Sequence, residues 1–444
     1  MSMTTAARGE AERPASWLRR VSAPYTRPEM AAMVLLGFAS GLPLYLVYQK
    51  TSFWLRTEGI ERSTIGFFYW VGLAYSFKFV WAPIIDKVRV PALTAKVGHR
   101  RSWMMVSIAG TVAGLAFIAT AEPSASLLPV TIGAILLAFS GATLDVSIDA
   151  WRIESAPPER QANMAAAYSL GYRGALVFSG LGFVVADLAS WNASFGVMAG
   201  AMTLTGGLVL LIREPDRPEG AAISDDDPWP VRLRRLFVEP FAQVAQRYGT
   251  LLVPILLLVM IYRLSDFTMG VMASPLYADL GYAPATVGAI QSGPGVAAII
   301  VGLFVGGAVA NWLGLFPALV AGAGLTFVTN GFYAVFAGAA TGTDPLFLTA
   351  AICADNLAGG FVTTVFIAYL SSLVDPANAA TQYALFSSLY AFLNKFAAGF
   401  SGVMAEALGY VTFFLVTACY AIPAGALVLL VAWLQRRTER DETT

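Results

Sequence analysis

Long apolar runs alternate with short polar intervals along this chain. A bilayer-spanning helix needs about 20 mostly apolar residues, and twelve runs meet that length: 30–55, 64–84, 102–120, 127–151, 163–187, 192–212, 249–275, 284–310, 315–340, 346–373, 379–405 and 411–435. The pattern predicts an all-α polytopic membrane protein. Its longest polar interval divides the runs six and six. The expected organisation is a cytoplasmic segment 1–29, a six-helix bundle 30–212, a linker 213–248, a second bundle 249–435 and a tail 436–444. In the linker, Leu233, Leu236, Phe237, Phe241 and Val244 recur at helical spacing among Arg232, Arg234, Arg235 and Arg247. That pattern predicts an amphipathic helix on the inner leaflet, with a regulatory or partner site as the other reading.

The two sets of six echo each other. The second run opens on Gly59-Ile60-Glu61-Arg62-Ser63-Thr64-Ile65-Gly66 and the eighth on Gly281-Tyr282-Ala283-Pro284-Ala285-Thr286-Val287-Gly288, both G-x-x-x-x-T-[IV]-G. Pro158 and Pro376 make a looser pair before the fifth and eleventh runs. Parallel six-helix repeats about a central axis are the major facilitator architecture, and the pattern points to that fold.

Charge sets the orientation. The intervals that would share a side with the N-terminus hold 21 Lys and Arg, and the other side holds only Arg56 and Arg62. Positive residues stay inside, so both termini are expected to be cytoplasmic. Net charge is zero, with 57% hydrophobic and 13% charged residues, and there is no basic footprint for nucleic acid. Cys353 and Cys419 fall within apolar runs and read as packing residues. The first run is of full length, with no cleavable signal pattern before it. No glycine-rich phosphate loop, H-E-x-x-H or Cys/His cluster is present, so no enzyme activity, cofactor or metal is expected.

Against this apolar background stand Asp145, Asp149, Arg173, Arg263, Asp266, Asp355 and Lys395. A charge at mid-membrane costs about 2.5–3.5 kcal/mol on the mildest scale, so it is turned inward and usually has a function. Asp145 and Asp149 are four apart and share one helix face. Two such carboxylates repel, which favours holding a proton between them. The one histidine, His99, lies in a polar interval, so proton coupling falls on Asp145 and Asp149. A structural pairing with Arg173 on the next run is the other reading. Arg263 and Asp266 are three apart and can pair locally. Asp355, Asn356, Gln382, Asn394 and Lys395 complete a polar lining for a large, hydrogen-bonding solute, neutral or anionic. Tyr45, Tyr48, Trp70, Tyr75, Trp81 and Tyr172 would stack on sugar or acyl faces, or face lipid and neighbouring helices. Lys50, near the outer end of the first run, would meet an anionic group or snorkel to the interface. Asp86-Lys87 followed by Gly98-His99-Arg100-Arg101 resembles a cytoplasmic gate, with Asp86, Arg100 and Arg101 as its residues; positive-inside charge is the plainer account.

Ordered motifs over nearly the whole chain resemble the AmpG-type muropeptide permeases. They are Gly37-Phe38-Ala39-Ser40-Gly41-Leu42-Pro43, Thr64-Ile65-Gly66-Phe67-Phe68, Phe77-Lys78-Phe79, Trp81-Ala82-Pro83, Asp149-Ala150-Trp151 and Leu170-Gly171-Tyr172-Arg173. Tyr262-Arg263-Leu264-Ser265-Asp266, Asn356-Leu357-Ala358-Gly359-Gly360 and Ala380-Thr381-Gln382-Tyr383-Ala384-Leu385 continue the series. The resemblance implies a twelve-helix importer of the bacterial inner membrane that carries N-acetylglucosaminyl-1,6-anhydro-N-acetylmuramyl peptides inward with protons, for peptidoglycan recycling. Its implied partners are that small molecule, protons and the lipid bilayer, with the chain acting as a monomer. Tyr48, Lys78, Tyr172, Arg173, Arg263, Asp266, Asp355, Asn356, Gln382 and Lys395 are the cavity candidates. A related importer of a siderophore or coenzyme A ester, and a non-transporting membrane sensor, are the alternatives.

Overall fold

A computed structural model describes residues 27–156, 158–215, 239–340, 344–374 and 379–443. Among these residues nine helices are long and apolar enough to cross a membrane. Their outward faces carry large apolar side chains such as Phe304, Trp312, Leu181 and Val328. Helices apolar all round belong in lipid, where every backbone group must be satisfied within the element.

In the first half, α1 (Pro28–Tyr45) continues through a π turn (Leu46–Lys50) into α2 (Thr51–Thr57). The second run is not one helix as read from its hydropathy. It comprises α3 (Arg62–Phe68), a 3₁₀ turn (Tyr69–Gly72), α4 (Leu73–Phe77), a second 3₁₀ turn (Lys78–Val80) and α5 (Ala82–Lys87). Pro83 has no N–H for the ladder, which accounts for the second break. After α6 (Thr94–Val97) come α7 (His99–Ala119), α8 (Leu128–Ser155), α9 (Pro158–Leu188) and α10 (Trp191–Val209).

The second half begins with α11 (Glu239–Tyr248) and α12 (Leu252–Ile261), is interrupted at Tyr262–Arg263, and resumes in α13 (Leu264–Asp279). The eighth run also breaks, at Gly293, between α14 (Pro284–Ser292) and α15 (Pro294–Leu313), because a residue before proline is driven out of the helical region. Then follow α16 (Leu315–Ala339), α17 (Pro345–Ser372), α18 (Ala379–Ala398), α19 (Ser401–Cys419) and α20 (Ala421–Thr443). Gly409 (φ 74°) kinks α19, between the eleventh and twelfth apolar runs. Of the linker pattern, Leu233, Leu236 and Phe237 and the side chain of Phe241 lie outside the described residues. Val244 of α11 is buried in the protein core of the second half, not in lipid.

Helix crossings are seated on glycine. Gly37 of α1 meets the Tyr168 carbonyl and Gly171 of α9 meets the Val34 carbonyl, so neither position has room for a Cβ. Gly302 of α15 and Gly360 of α17 do the same in the second half, against the Leu357 and Ile299 carbonyls.

The octet repeat has a structural meaning. Its first glycines, Gly59 (φ 79°) and Gly281 (φ 81°), both turn the chain through the left-handed region after a helix. Its last glycines sit on the two seams between the halves: Gly66 against Gly399 and Gly402 of the second half, and Gly288 against Gly180 of the first. The sequence echo therefore marks both the turns and the surfaces on which the halves meet.

Candidate transport site

The first half gathers its charges around α8. Lys78, at the start of the second 3₁₀ turn, places its Nζ 3.6 Å from Asp145 Oδ2 and 3.8 Å from Asp149 Oδ2. The tighter 3₁₀ winding changes the direction in which successive side chains leave the helix. Trp81 Nε1 donates to Thr143 Oγ1 at 3.1 Å and ties the broken segment to α8. Ser40 of α1 donates to Asp145 and shares a 2.6 Å hydrogen bond with the Tyr168 hydroxyl of α9. Asp149 also faces Arg152 Nη2 at 3.6 Å. The two acids differ in access: the Asp145 side chain is 17% exposed and that of Asp149 is 54% exposed. Asp145 is thus the inner acid, held from α1 and from the second 3₁₀ turn, and Asp149 the more exposed one.

Arg173 does not pair with these acids, contrary to the structural alternative read from the sequence. It stands beside Tyr45 and lines a cavity of about 230 Å³ with Tyr168, Ser169 and Tyr172. The Tyr172 ring lies 5.5 Å from Tyr45 and 6.2 Å from Tyr168. This wall of phenol faces beside a guanidinium suits a solute with both sugar and carboxylate groups. Tyr48 stacks on Tyr69 at 4.5 Å, and its hydroxyl is buried against Gly72 without a hydrogen-bond partner. A larger groove of about 370 Å³ between the second and fourth runs is lined by apolar and aromatic residues, Trp70, Phe77, Trp81 and Phe139 among them. It carries none of the charges.

In the second half Arg263 sits at the break before α13, and its Nε lies 3.3 Å from Asp266 Oδ2. Asp355 of α17 shares the electrostatic neighbourhood of this pair. Three of the remaining candidates, Asn356, Asn394 and Lys395, are engaged with backbone. Asn356 Nδ2 donates to Gly295 O at 3.0 Å, tying α17 to α15. Asn394 Nδ2 donates to Met260 O at 3.0 Å, and Gln382 is buried. Lys395 crosses between the halves: its Nζ donates to Gly72 O at 3.1 Å and lies 5.3 Å from the Tyr75 ring.

At one end of the first half, Arg100 donates through Nε and Nη2 to Glu154 at 2.9 and 2.6 Å. The backbone amides of Arg100 and Arg101 donate to Glu214 at 2.6 and 3.1 Å, and Arg101 Nη2 donates to Leu210 O at 2.7 Å. The start of α7 is therefore clamped to the ends of α8 and α10. The Asp86 side chain lies outside the described residues. Glu154, Glu214 and Ser40 are partners the sequence reading missed. Glu154 follows the fourth apolar run and Glu214 lies at the start of the linker, so each was visible as a residue but not as a contact.

The opposite end of the molecule is closed across the halves. Asp279 of α13 is bound by Arg56 of α2 and by Arg62 Nη2 at 3.0 Å, and Ser63 N donates to Glu406 at 3.3 Å. Below this, Trp70 stacks on Phe396 at 5.6 Å and its Nε1 donates to the Phe396 carbonyl.

Residues 31–392 match the family model described as Major Facilitator Superfamily. The chain is 34% identical over 410 residues to the anhydromuropeptide permease of Escherichia coli (strain K12), covering 92% of this chain and 80% of that protein. It is 30% identical to transporter AmpG 4 of Rickettsia conorii, covering 88% and 93% of the two chains. A bacterial homolog of the human lysosomal transporter Spinster, solved inward-facing and unoccupied, superposes with a TM-score of 0.65 at 14% identity, covering 94% of this chain and 98% of its own. A D-xylose–proton symporter does so at 0.66 and 12%, covering 91% and 97%. At such identities these structures speak for the fold alone.

Proposed function

The chain belongs to the Major Facilitator Superfamily and its AmpG branch, and on that premise we propose that it imports anhydromuropeptides across the bacterial inner membrane, coupled to protons. The single observation that carries the reading beyond family membership is Lys78 held between Asp145 and Asp149, beside the polar cavity of Tyr168, Tyr172 and Arg173. A disaccharide-peptide offers apolar sugar faces to the tyrosines and carboxylates to Arg173. A proton arriving at the more exposed Asp149 and passing to Asp145 removes the Asp145 share of the attraction on Lys78 and leaves Asp149 as its one carboxylate partner. The second and fourth runs can then move relative to each other. Coupling needs such a change in a contact between moving parts.

In this reading the chain has twelve spans and two cytoplasmic termini, and acts as a monomer, because one chain supplies both halves of the path. The end closed by Asp279 is the outer end, and the structure is the inward-facing member of the alternating pair. Arg100 and Arg101 brace the cytoplasmic end of the first half in that state. Lys50 gives no support to a phosphate-bearing cargo. It is fully buried, with its Nζ 5.5 Å from the Phe183 ring, and neither lines the path nor snorkels.

The test is uptake of radiolabelled anhydromuropeptide into right-side-out vesicles under an imposed inward proton gradient. Accumulation that a protonophore abolishes is the expected result. No accumulation by folded, inserted protein would remove the muropeptide reading and turn the search to siderophores and coenzyme A esters.

A further inference from the structure

Arg56 and Arg62 are the two cations on the side of the chain that faces outward in the reading above, against 21 on the other side. The fold brings both of them onto the same carboxylate. Arg56 Nε donates to Asp279 Oδ1, and Arg62 Nε and Nη2 lie 3.3 and 3.0 Å from Asp279 Oδ2. The arginines belong to the first half, at the end of α2 and the start of α3. Asp279 belongs to the second half, at the end of α13. Tyr410, also from the second half, donates its hydroxyl to Asp279 Oδ2 at 2.8 Å, and its ring lies 4.1 Å from the Arg62 guanidinium. Arg56 is fixed further by donating to Ile60 O at 3.0 Å. The arginine and aspartate side chains are 21–23% exposed, so water and solutes reach the cluster from its outer side.

When this end opens, the halves part and Asp279 leaves with the second half. Two guanidiniums then remain at the mouth without the Asp279 carboxylate that both had bound. Guanidinium forks bind carboxylates and phosphates with two parallel hydrogen bonds, and removing one partner of a charge cluster is costly unless another replaces it. A solute carboxylate fits the vacancy. We propose that Arg56 and Arg62 form an outer recognition site for a carboxylate of the cargo, with Asp279 as the internal stand-in that occupies it when the mouth is shut. The inference rests on the import reading and deepens it. Cargo is selected for negative charge at the mouth, before it reaches Arg173, and its arrival offsets the loss of the Asp279 contacts. The latch and the selectivity filter are then one set of side chains.

The test uses the full chain with Cys353→Ala and Cys419→Ala, spin-labelled at Thr57→Cys and Ala407→Cys across the mouth. An impermeant maleimide applied to Thr57→Cys in right-side-out vesicles first checks that this end faces outward. In the purified protein, Asp279→Asn should add a longer distance to a single short one, while Asp279→Glu keeps the short one. Anhydromuropeptide with free peptide carboxylates should populate the longer distance in the wild type, and its carboxamide derivative should not. Arg56→Gln with Arg62→Gln should lose that response, and in uptake should raise KM for the carboxylate form by about tenfold, leaving the carboxamide unchanged. A distance unmoved by Asp279→Asn, or equal responses to the two cargo forms, would overturn the proposal. A carboxylate-specific distance change without uptake would keep this site and remove the transport reading. Uptake with equal KM for both forms would remove this site alone.

Discussion

Lys78 and Asp145 make a 3.6 Å ion pair between the second and fourth apolar runs. The pair exists because the second run breaks into a 3₁₀ turn at Lys78. A charge pair at a helix break joins the chemistry of the site to the part of the scaffold best able to bend.

Replacing Asp149 by Asn should abolish uptake driven by a pH gradient and leave the protein folded, since its side chain is more than half exposed. Asp145→Asn should also uncouple transport. Counterflow exchange of labelled for unlabelled cargo, which needs no gradient, should survive in both. Undiminished gradient-driven uptake by either variant would end that acid's assigned role.

Removing Lys78 alone leaves two carboxylates facing each other. Lys78→Met should therefore lower thermal stability in detergent more than Lys78→Met combined with Asp145→Asn. Groups in direct contact typically couple by about 0.5–3 kcal/mol. Additive effects in a double-mutant cycle would show that the 3.6 Å approach contributes no energy.

Arg100 is buried and binds Glu154 through two nitrogens. Breaking a buried pair from one side costs about 3–5 kcal/mol. Arg100→Ala should accordingly lose most folded protein, and Arg100→Lys should not rescue it, because an ammonium cannot reproduce the fork. Size-exclusion profiles and melting curves decide this, and a lysine variant as stable as wild type would refute it.

Two glycines separate folding from switching. Gly171 meets the Val34 carbonyl within the first half, and Gly402 meets the Arg62 carbonyl between the halves. Gly171→Ala should destabilise by about 1–3 kcal/mol, the usual cost of overpacking. Gly402→Ala should instead shift the population toward the state in which this seam is open. The spin-label pair across the mouth distinguishes the two outcomes. A lower melting temperature for Gly402→Ala with an unchanged distance would count against a switching seam.

Tyr172 presents its ring beside Tyr45 and Arg173 lies in the same cavity. Tyr172→Ala should raise KM by about tenfold through loss of stacking, whereas Tyr172→Phe should stay within about twofold. Equal loss in both would assign the contact to the hydroxyl.

Much of the architecture was legible in the chain. The octet beginning at Gly59 and Gly281 announced the repeat, and both glycines take left-handed φ values at matching turns. Asp145, Asp149, Arg263 and Asp266 stood out because a charge among apolar neighbours is conspicuous in any window. Contacts were less legible. The second run reads as one continuous apolar stretch, yet it breaks twice. Asn356 and Lys395 read as cavity groups, yet both donate to backbone carbonyls of other helices. Lys50 read as a cation near the outer interface, yet it is buried behind Phe183.

By itself the sequence determined that the chain lives in a membrane, where its apolar runs lie, that its halves repeat, and which charges are too costly to be idle. These properties are local. Hydropathy accumulates residue by residue, and a helix in lipid satisfies its backbone within its own segment. Tertiary structure alone decided that Lys78, not Arg173, meets the paired acids, that Glu154 and Glu214 hold the arginine pair, and that Asp279 draws Arg56 and Arg62 together. Each of these contacts joins residues far apart in the chain. They depend on how closely helices cross, and that distance is set where a glycine such as Gly37 or Gly402 lets two backbones touch.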